Sequence, residues 1–235
     1  MQEAPPGLFM TVPTAGNRPE LLSALIRDCG LPPERVIVVA TQTGVVVDRK
    51  VVVVEDLESP NIQRWWNLGI EEAKRRGAEF VAVVNDDVSV TPDTLPQLAR
   101  ALRVSAASVA SPRREPYRDG LHTGPLVPYS PRLWGSLWML KVSSGLRPDT
   151  RYVWWYGDND LDIRARRHHG GVVLVPVAYS HVHPGEGTSQ SRELQAQTQI
   201  DAETFERQYR YLLRASRLWT RFMPAKGVFS SADSK

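Results

Sequence analysis

The sequence predicts an α/β domain: a mainly parallel sheet with helices on both faces. Three observations carry that expectation. Short apolar runs without period-two alternation recur along the chain, at Gly7–Val12, Arg35–Ala40, Phe80–Val84 and Ala106–Ala110, as strands buried on both faces require. Segments with apolar residues at helical spacing separate most of them, giving the order β, α, β, β, α, β, α, β up to residue 110. A chain of 235 residues is also long enough to bury about three quarters of its unfolded surface in one large core.

Taken in order, the first strand ends in the loop Pro13-Thr-Ala-Gly-Asn-Arg-Pro19. Leu21, Leu22, Leu25, Ile26 and Cys29 then mark a helix, with Pro19 in its first turn and Gly30 at its end. Arg18 in that loop suits a phosphate or base, and equally a solvated helix start. Arg35–Ala40 and Val51–Val54 read as the second and third strands, and Gly44–Asp48 between them fits a hairpin or a loop. Ser59 and Pro60 are expected at the N-cap and first position of the next helix. Its inward stripe is Ile62, Trp65, Trp66, Gly69, Ile70 and Ala73, leaving Asn61, Arg64 and Asn67 off the stripe.

The strand Phe80–Val84 ends abruptly in Asn85-Asp86-Asp87. Ligands of open α/β sheets gather at the carboxyl ends of strands, where two adjacent carboxylates suit a divalent cation that holds a diphosphate. Acidic residues after a strand also serve as plain turn formers. Thr91-Pro92 is expected to start the following helix, which carries Leu95, Leu98, Ala99 and Leu102. Ser111 to Ser130 is aperiodic and rich in Pro, Arg, Gly and Tyr, the mark of a long functional loop.

Leu133–Leu140 returns to strand character, and Tyr152-Val-Trp-Trp-Tyr156 leads into Gly157-Asp-Asn-Asp-Leu-Asp-Ile-Arg164. The acids of this segment followed by arginines match a helix macrodipole, although that leaves the aromatic cluster beside them unexplained. Val172–Ala178 reads as a peripheral strand, because Pro176 cannot donate to a ladder. His181 and His183 follow at spacing two, and His183 is a candidate to complete a metal shell.

Composition narrows the function. Net charge is only +3, too mild to call for a nucleic-acid partner. The single Cys29 forms no intrachain disulfide, which suits a reducing cytoplasm. No apolar run is long enough to span a bilayer, and the first residues lack a signal core, so a soluble, unprocessed, cytoplasmic protein is expected. Neither G-x-G-x-x-G after the first strand nor a P-loop occurs.

Pro13-Thr14 with Asn17-Arg18-Pro19, the Asn61–Ala73 helix, Asn85-Asp86-Asp87, Gly135–Leu140 and Gly157–Arg164 follow one another as in family 2 glycosyltransferases, and residues 7–187 resemble that family. The resemblance implies a GT-A fold with a Rossmann-like, mainly parallel sheet, an inverting mechanism and a nucleotide-sugar donor, UDP-, dTDP- or GDP-linked. It also implies a divalent cation, Mn²⁺ or Mg²⁺. Asn85-Asp86-Asp87 looks like the family's D-x-D motif, with Asp87 as the direct metal ligand and Asp86 beside it. Asp158 stands at the place of the catalytic base, with Asp160 the next candidate; Gly157 replaces the Glu usual before it. Where the family often has an Asp after its second strand, this chain has Ala40-Thr-Gln-Thr43.

Pro13, Thr14, Arg18, Asn61, Arg64, Asn67, Asn85 and Asp86 are the expected nucleotide-sugar contacts, and Trp138, Trp154 and Trp155 the expected acceptor platform. The resemblance divides residues 1–187 into a donor half, about 7–110, and an acceptor half, about 111–187. Residues 188–223 form an expected helical extension with apolar residues Ala202, Phe205, Tyr209, Leu212 and Trp219 among arginines, and 224–235 an expected disordered tail. That extension suits packing on the domain, a homodimer contact, or an anionic membrane surface. Two other classes compete: a sugar nucleotidyltransferase, whose Gly-rich Arg-containing loop is missing here, and a catalytically silent nucleotide-sugar binding module.

Overall fold

A computed structural model describes residues 5–124, 126–181 and 192–222. Its strands are β1 (Leu8–Thr14), β2 (Val36–Ala40), β3 (Val52–Glu55), β4 (Phe80–Val84), β5 (Val88–Val90), β6 (Val109–Pro112), β7 (Gly120–His122), β8 (Leu137–Lys141), β9 (Val172–Val175) and β10 (Tyr179–His181). The helices are α1 (Pro19–Asp28), α2 (Ile62–Arg75), α3 (Thr94–Val104), α4 (Gly157–His168) and α5 (Arg192–Phe222). Eight strands form one sheet in the order β3-β2-β1-β4-β8-β6-β9-β7, and β10 pairs with β5 in a small second sheet. β1 runs parallel to β2 and β4, and β2 to β3, while β8 is antiparallel to both β4 and β6.

The continuous apolar strands work because alternate residues enter different cores. Leu8, Met10 and Val12 of β1, with Phe80, Ala82 and Val84 of β4, pack against Leu22 and Leu25 of α1 and Leu95, Leu98 and Leu102 of α3. Phe9, Val81 and Val83 face the other way, toward Trp66, Ile70 and Ala73 of α2 and Leu161 and Ala165 of α4. Helix α2 lies so close to β1 that a Cβ on Gly69 would sit 1.7 Å from the Thr11 hydroxyl, so only glycine fits there. A third cluster joins Phe205, Tyr209 and Leu212 of α5 to Tyr152, Ile163 and Leu126. The extension therefore packs on the domain. Tyr211, Leu218 and Trp219 farther along α5 remain exposed.

Several boundaries differ from those the sequence suggests. Helix α2 is capped by Asn61, whose side chain accepts from the Arg64 N–H, so it starts two residues after Pro60. Helix α3 starts at Thr94, after a turn in which the Thr94 hydroxyl accepts from the Thr91 N–H. Strand β9 is interior, flanked by β6 and β7, because it ends at Val175 and Pro176 falls outside the ladder. The loop after Ser111 contributes β7, the edge strand on its far side. Gly44–Asp48 forms no strand.

Candidate active site

The carboxyl ends of β1, β2 and β4 open into a two-lobed cleft, and Asn85, Ile62 and Trp154 line both lobes. The first lobe, about 360 Å³, is lined by Pro13, Thr14, Asn17, Arg18 and Thr41 together with Asp86 and Asp87. The second, about 330 Å³, is lined by Gln63, Arg114, Trp134, Trp155, Asp158 and His181, among others. The order of strands explains the first lobe: β4 lies beside β1, so the loop after β1 faces the acids after β4.

Each acid of the first lobe has a distinct setting. Asp86 accepts a 2.6 Å hydrogen bond from the Thr14 hydroxyl, which itself accepts from the Gly16 N–H. Burial is the largest influence on the Asp86 carboxyl and raises its pKa, the nearby Asp87 adds to the rise, and the Thr14 bond opposes it. Asp87, only 8% exposed, receives Arg18 Nη1 at 2.9 Å on Oδ2 and His181 Nε2 at 3.0 Å on Oδ1. The Asn85 side-chain oxygen is buried without a hydrogen-bond partner.

These donors fit a cation that shares its ligands with a diphosphate. Among the described residues no three His, Cys, Asp or Glu side chains converge into an all-protein cage. A phosphate-bridging Mg²⁺ needs only one or two carboxylates, which Asp87 and Asp86 would supply. His183 lies outside the described residues, whereas His181, two positions earlier, is the imidazole that meets Asp87.

In the second lobe, Asp158 sits in the first turn of α4. Its Oδ2 accepts from the Gly135 N–H at 3.0 Å and its Oδ1 from the Asn159 N–H at 2.9 Å, leaving the side chain partly open to the cleft. Loss of water around it is the dominant effect and raises its pKa above the ordinary carboxylate value, against the pull of those amides. Gly157 beside it has a packing reason: a Cβ there would fall 2.1 Å from the buried Gln63 side chain, so glutamine occupies the space a larger residue would need. Trp154 and Trp155 line the cleft, and Trp154 meets Trp65 edge-on at 5.5 Å. Arg114 lies 4.3 Å over the Trp134 ring and donates to the Tyr179 hydroxyl.

Other expected site residues are held elsewhere. Asp160 is fully buried and accepts from Arg164 at 2.7 Å, Gln208 at 2.9 Å and Tyr209 at 2.6 Å; it does not line the lobe and is a structural carboxylate. Trp138 is fully buried in β8 against Trp66, because its strand position points into the core. Asn61 caps α2 and donates to the Thr150 carbonyl. Arg64 is engaged by Asp56 and Asn67 by the Pro148 carbonyl, so these three polar residues of α2 fix neighbouring loops and do not line the first lobe. Residues missed by sequence reasoning are His181, Arg114, Gln63 and Thr41. Thr41 lies in the departure after β2, and its N–H and hydroxyl both donate to the Thr14 carbonyl.

No family model matches the sequence, and no curated protein matches it. Solved structures do match the fold. S. aureus TarS 1-349 in complex with UDP-GlcNAc aligns with 93% of this chain and 76% of its own, at TM-score 0.58 and 16% identity. The same protein in complex with UDP gives TM-score 0.57 at 16% identity, over 93% of this chain and 75% of that one. A further structure of S. aureus TarS aligns over 94% of this chain and 46% of its own, at TM-score 0.57 and 15% identity. The likeness is one of fold: a mostly parallel eight-stranded sheet flanked by helices, of GT-A type.

Proposed function

We propose that this chain is an inverting glycosyltransferase that moves a sugar from a nucleotide-diphosphate donor to an acceptor hydroxyl. One observation carries the reading: a single cleft holds paired acids in one lobe and a lone, partly open carboxylate of raised pKa in the other. Inversion needs that separation, because the acceptor must be deprotonated on one face of the sugar while the diphosphate departs from the other. TarS, whose fold this chain shares, has been solved with UDP-GlcNAc and with UDP, so UDP-linked sugars are the first donors to test.

In the donor lobe, Pro13 and Thr14 wall the nucleotide while Arg18 faces the phosphates. Asp87, with Asp86 beside it, would hold a divalent cation. When bound, that cation supplies positive charge to the leaving diphosphate. Asp158 takes the proton from the acceptor oxygen as that oxygen bonds to the anomeric carbon and the bond to the diphosphate breaks. Its raised pKa places it closer to working pH, which strengthens it as a base. Trp154 and Trp155 offer apolar faces to a sugar ring.

A nucleotidyltransferase reading lacks its Gly-rich loop after β1, and a silent binding module has no use for a cleft-facing base. The decisive assay is donor hydrolysis and transfer across UDP-, dTDP- and GDP-sugars, with and without Mn²⁺ or Mg²⁺. Metal-stimulated release of nucleoside diphosphate is expected. Conversion of the donor to nucleoside triphosphate and sugar 1-phosphate, seen only when pyrophosphate is added, would instead indicate nucleotidyl transfer, and binding without turnover a silent module.

A further inference from the structure

We infer that Asp201 of α5 is the positioning residue of the acceptor lobe, clamping the segment that carries Trp154, Trp155 and Asp158. The inference rests on the transferase reading for its catalytic consequence, but the clamp itself rests on geometry alone. Asp201 is fully buried. Three consecutive backbone N–H groups converge on its carboxylate: Val153 at 3.2 Å to both oxygens, and Trp154 and Trp155 at 2.9 Å each to Oδ2. Gln197, one turn earlier on the same helix, donates to Oδ1 at 2.8 Å and orients it.

A buried carboxylate is costly unless its lone pairs are filled, and here backbone amides of a cleft-lining loop fill them. The loop is thereby fixed at the atoms from which the two tryptophans project. The grip continues along α5. Phe205 stacks on Tyr156 at 5.1 Å, and Tyr156 has the left-handed φ of +62° that a tyrosine rarely adopts without outside support. Gln208 and Tyr209 then hold Asp160, one turn into α4. Asp158 lies between these anchored points, at the start of α4. The helix beyond the sheet thus sets where the base and the aromatic wall stand.

The donor lobe shares only Trp154 with the clamped segment. The hydrogen bonds that tie its side chains together run among the loop after β1, the end of β4 and β10. Detaching Asp201 is therefore expected to damage transfer far more than donor binding, a split that general destabilisation does not produce.

The test uses the full chain with Asp201→Asn, which keeps size but replaces one acceptor oxygen with an amide donor facing backbone N–H groups. Gln197→Ala removes only the orienting bond and serves as the milder second variant should Asp201→Asn fold poorly. Hydrogen exchange of the Val153–Trp155 amides is expected to accelerate at least tenfold in Asp201→Asn and less in Gln197→Ala. Turnover with saturating donor is expected to fall about 10–100-fold, the scale of a misplacement near 1 Å, with donor affinity within twofold. Unchanged exchange in both variants would overturn the clamp. Faster exchange with unchanged turnover, or a parallel loss of donor affinity, would overturn the positioning role. Exchange needs no substrate, so it tests the clamp whether or not the chain proves to be a transferase.

Discussion

The two lobes of the cleft hold their carboxylates by different means. In the first lobe, the proposed donor site, Asp86 and Asp87 are fixed by the side chains of Thr14, Arg18 and His181. In the acceptor lobe, Asp158 is fixed by backbone amides of Gly135 and Asn159, and the segment before it by Asp201. On the proposed function, exchangeable partners would suit admission of a charged donor, and rigid amides would suit a base that must be in place at each turnover. The contrast recurs within α4. Asp158 and Asp160 stand two residues apart, one partly open to the cleft and one sealed beneath α5.

The largest expected effect separates those two acids by activity. Asp158→Asn keeps the size of the side chain and loses the base, so single-turnover transfer is expected to fall about two to four orders of magnitude. Folding stability should fall by about 1–2 kcal/mol, because the new amide NH2 must face one of the two backbone N–H groups. Asp160→Ala should cost the fold more. It strands Arg164, Gln208 and Tyr209 in a buried site, and urea unfolding should register a loss of about 3–5 kcal/mol. Equal stability losses in the two variants would erase the distinction drawn between them.

The donor lobe is tested next. Asp87→Ala should reduce divalent-dependent donor affinity at least about tenfold by calorimetry, equivalent to about 1.4 kcal/mol, while transfer chemistry at saturating donor changes less. Arg18 and His181 lose a shared partner in that variant, so a compensating gain of metal-independent donor binding would redraw the lobe.

The smallest effects are pH-dependent. Only ionised Asp158 accepts a proton, and its pKa is raised, so the acid limb of kcat/KM should lie above the ordinary carboxylate value of about 3.9. Asp162, buried beside Arg166, is pushed up to about 6, mainly by burial. A carboxyl raised on folding binds its proton more tightly in the native state. Its contribution is therefore fully present below the unfolded value and lost as pH rises through about 6. Asp162→Asn should flatten that part of the stability profile between about pH 4 and 6, read from urea midpoints across pH.

The residues lining the first lobe stand out in the sequence because they sit at strand ends, where an apolar run breaks into Asn85-Asp86-Asp87 or Pro13-Thr14. In the second lobe only Asn85, Trp154, Trp155 and Asp158 stand out from the sequence. Trp138 reads like its neighbours in the chain, and only its place in the ladder between β4 and β6 puts it in the core. The buried setting of Asp160 is not legible locally, because two of its three partners lie 48 and 49 residues away on α5. Asn61, Arg64 and Asn67 look like free polar residues off an apolar stripe, but neighbouring loops and Asp56 claim them. His181 had a visible signal, its spacing from His183, but choosing between the two needed the pairing of β10 with β5.

The most direct test of the division between the lobes is to measure donor binding and single-turnover transfer on the same preparations of Asp87→Ala and Asp158→Asn. A crossed result is expected: Asp87→Ala loses donor affinity, while Asp158→Asn keeps donor affinity within a few-fold and loses transfer. Matching losses of both properties in both variants, or near-normal transfer by Asp158→Asn, would contradict it.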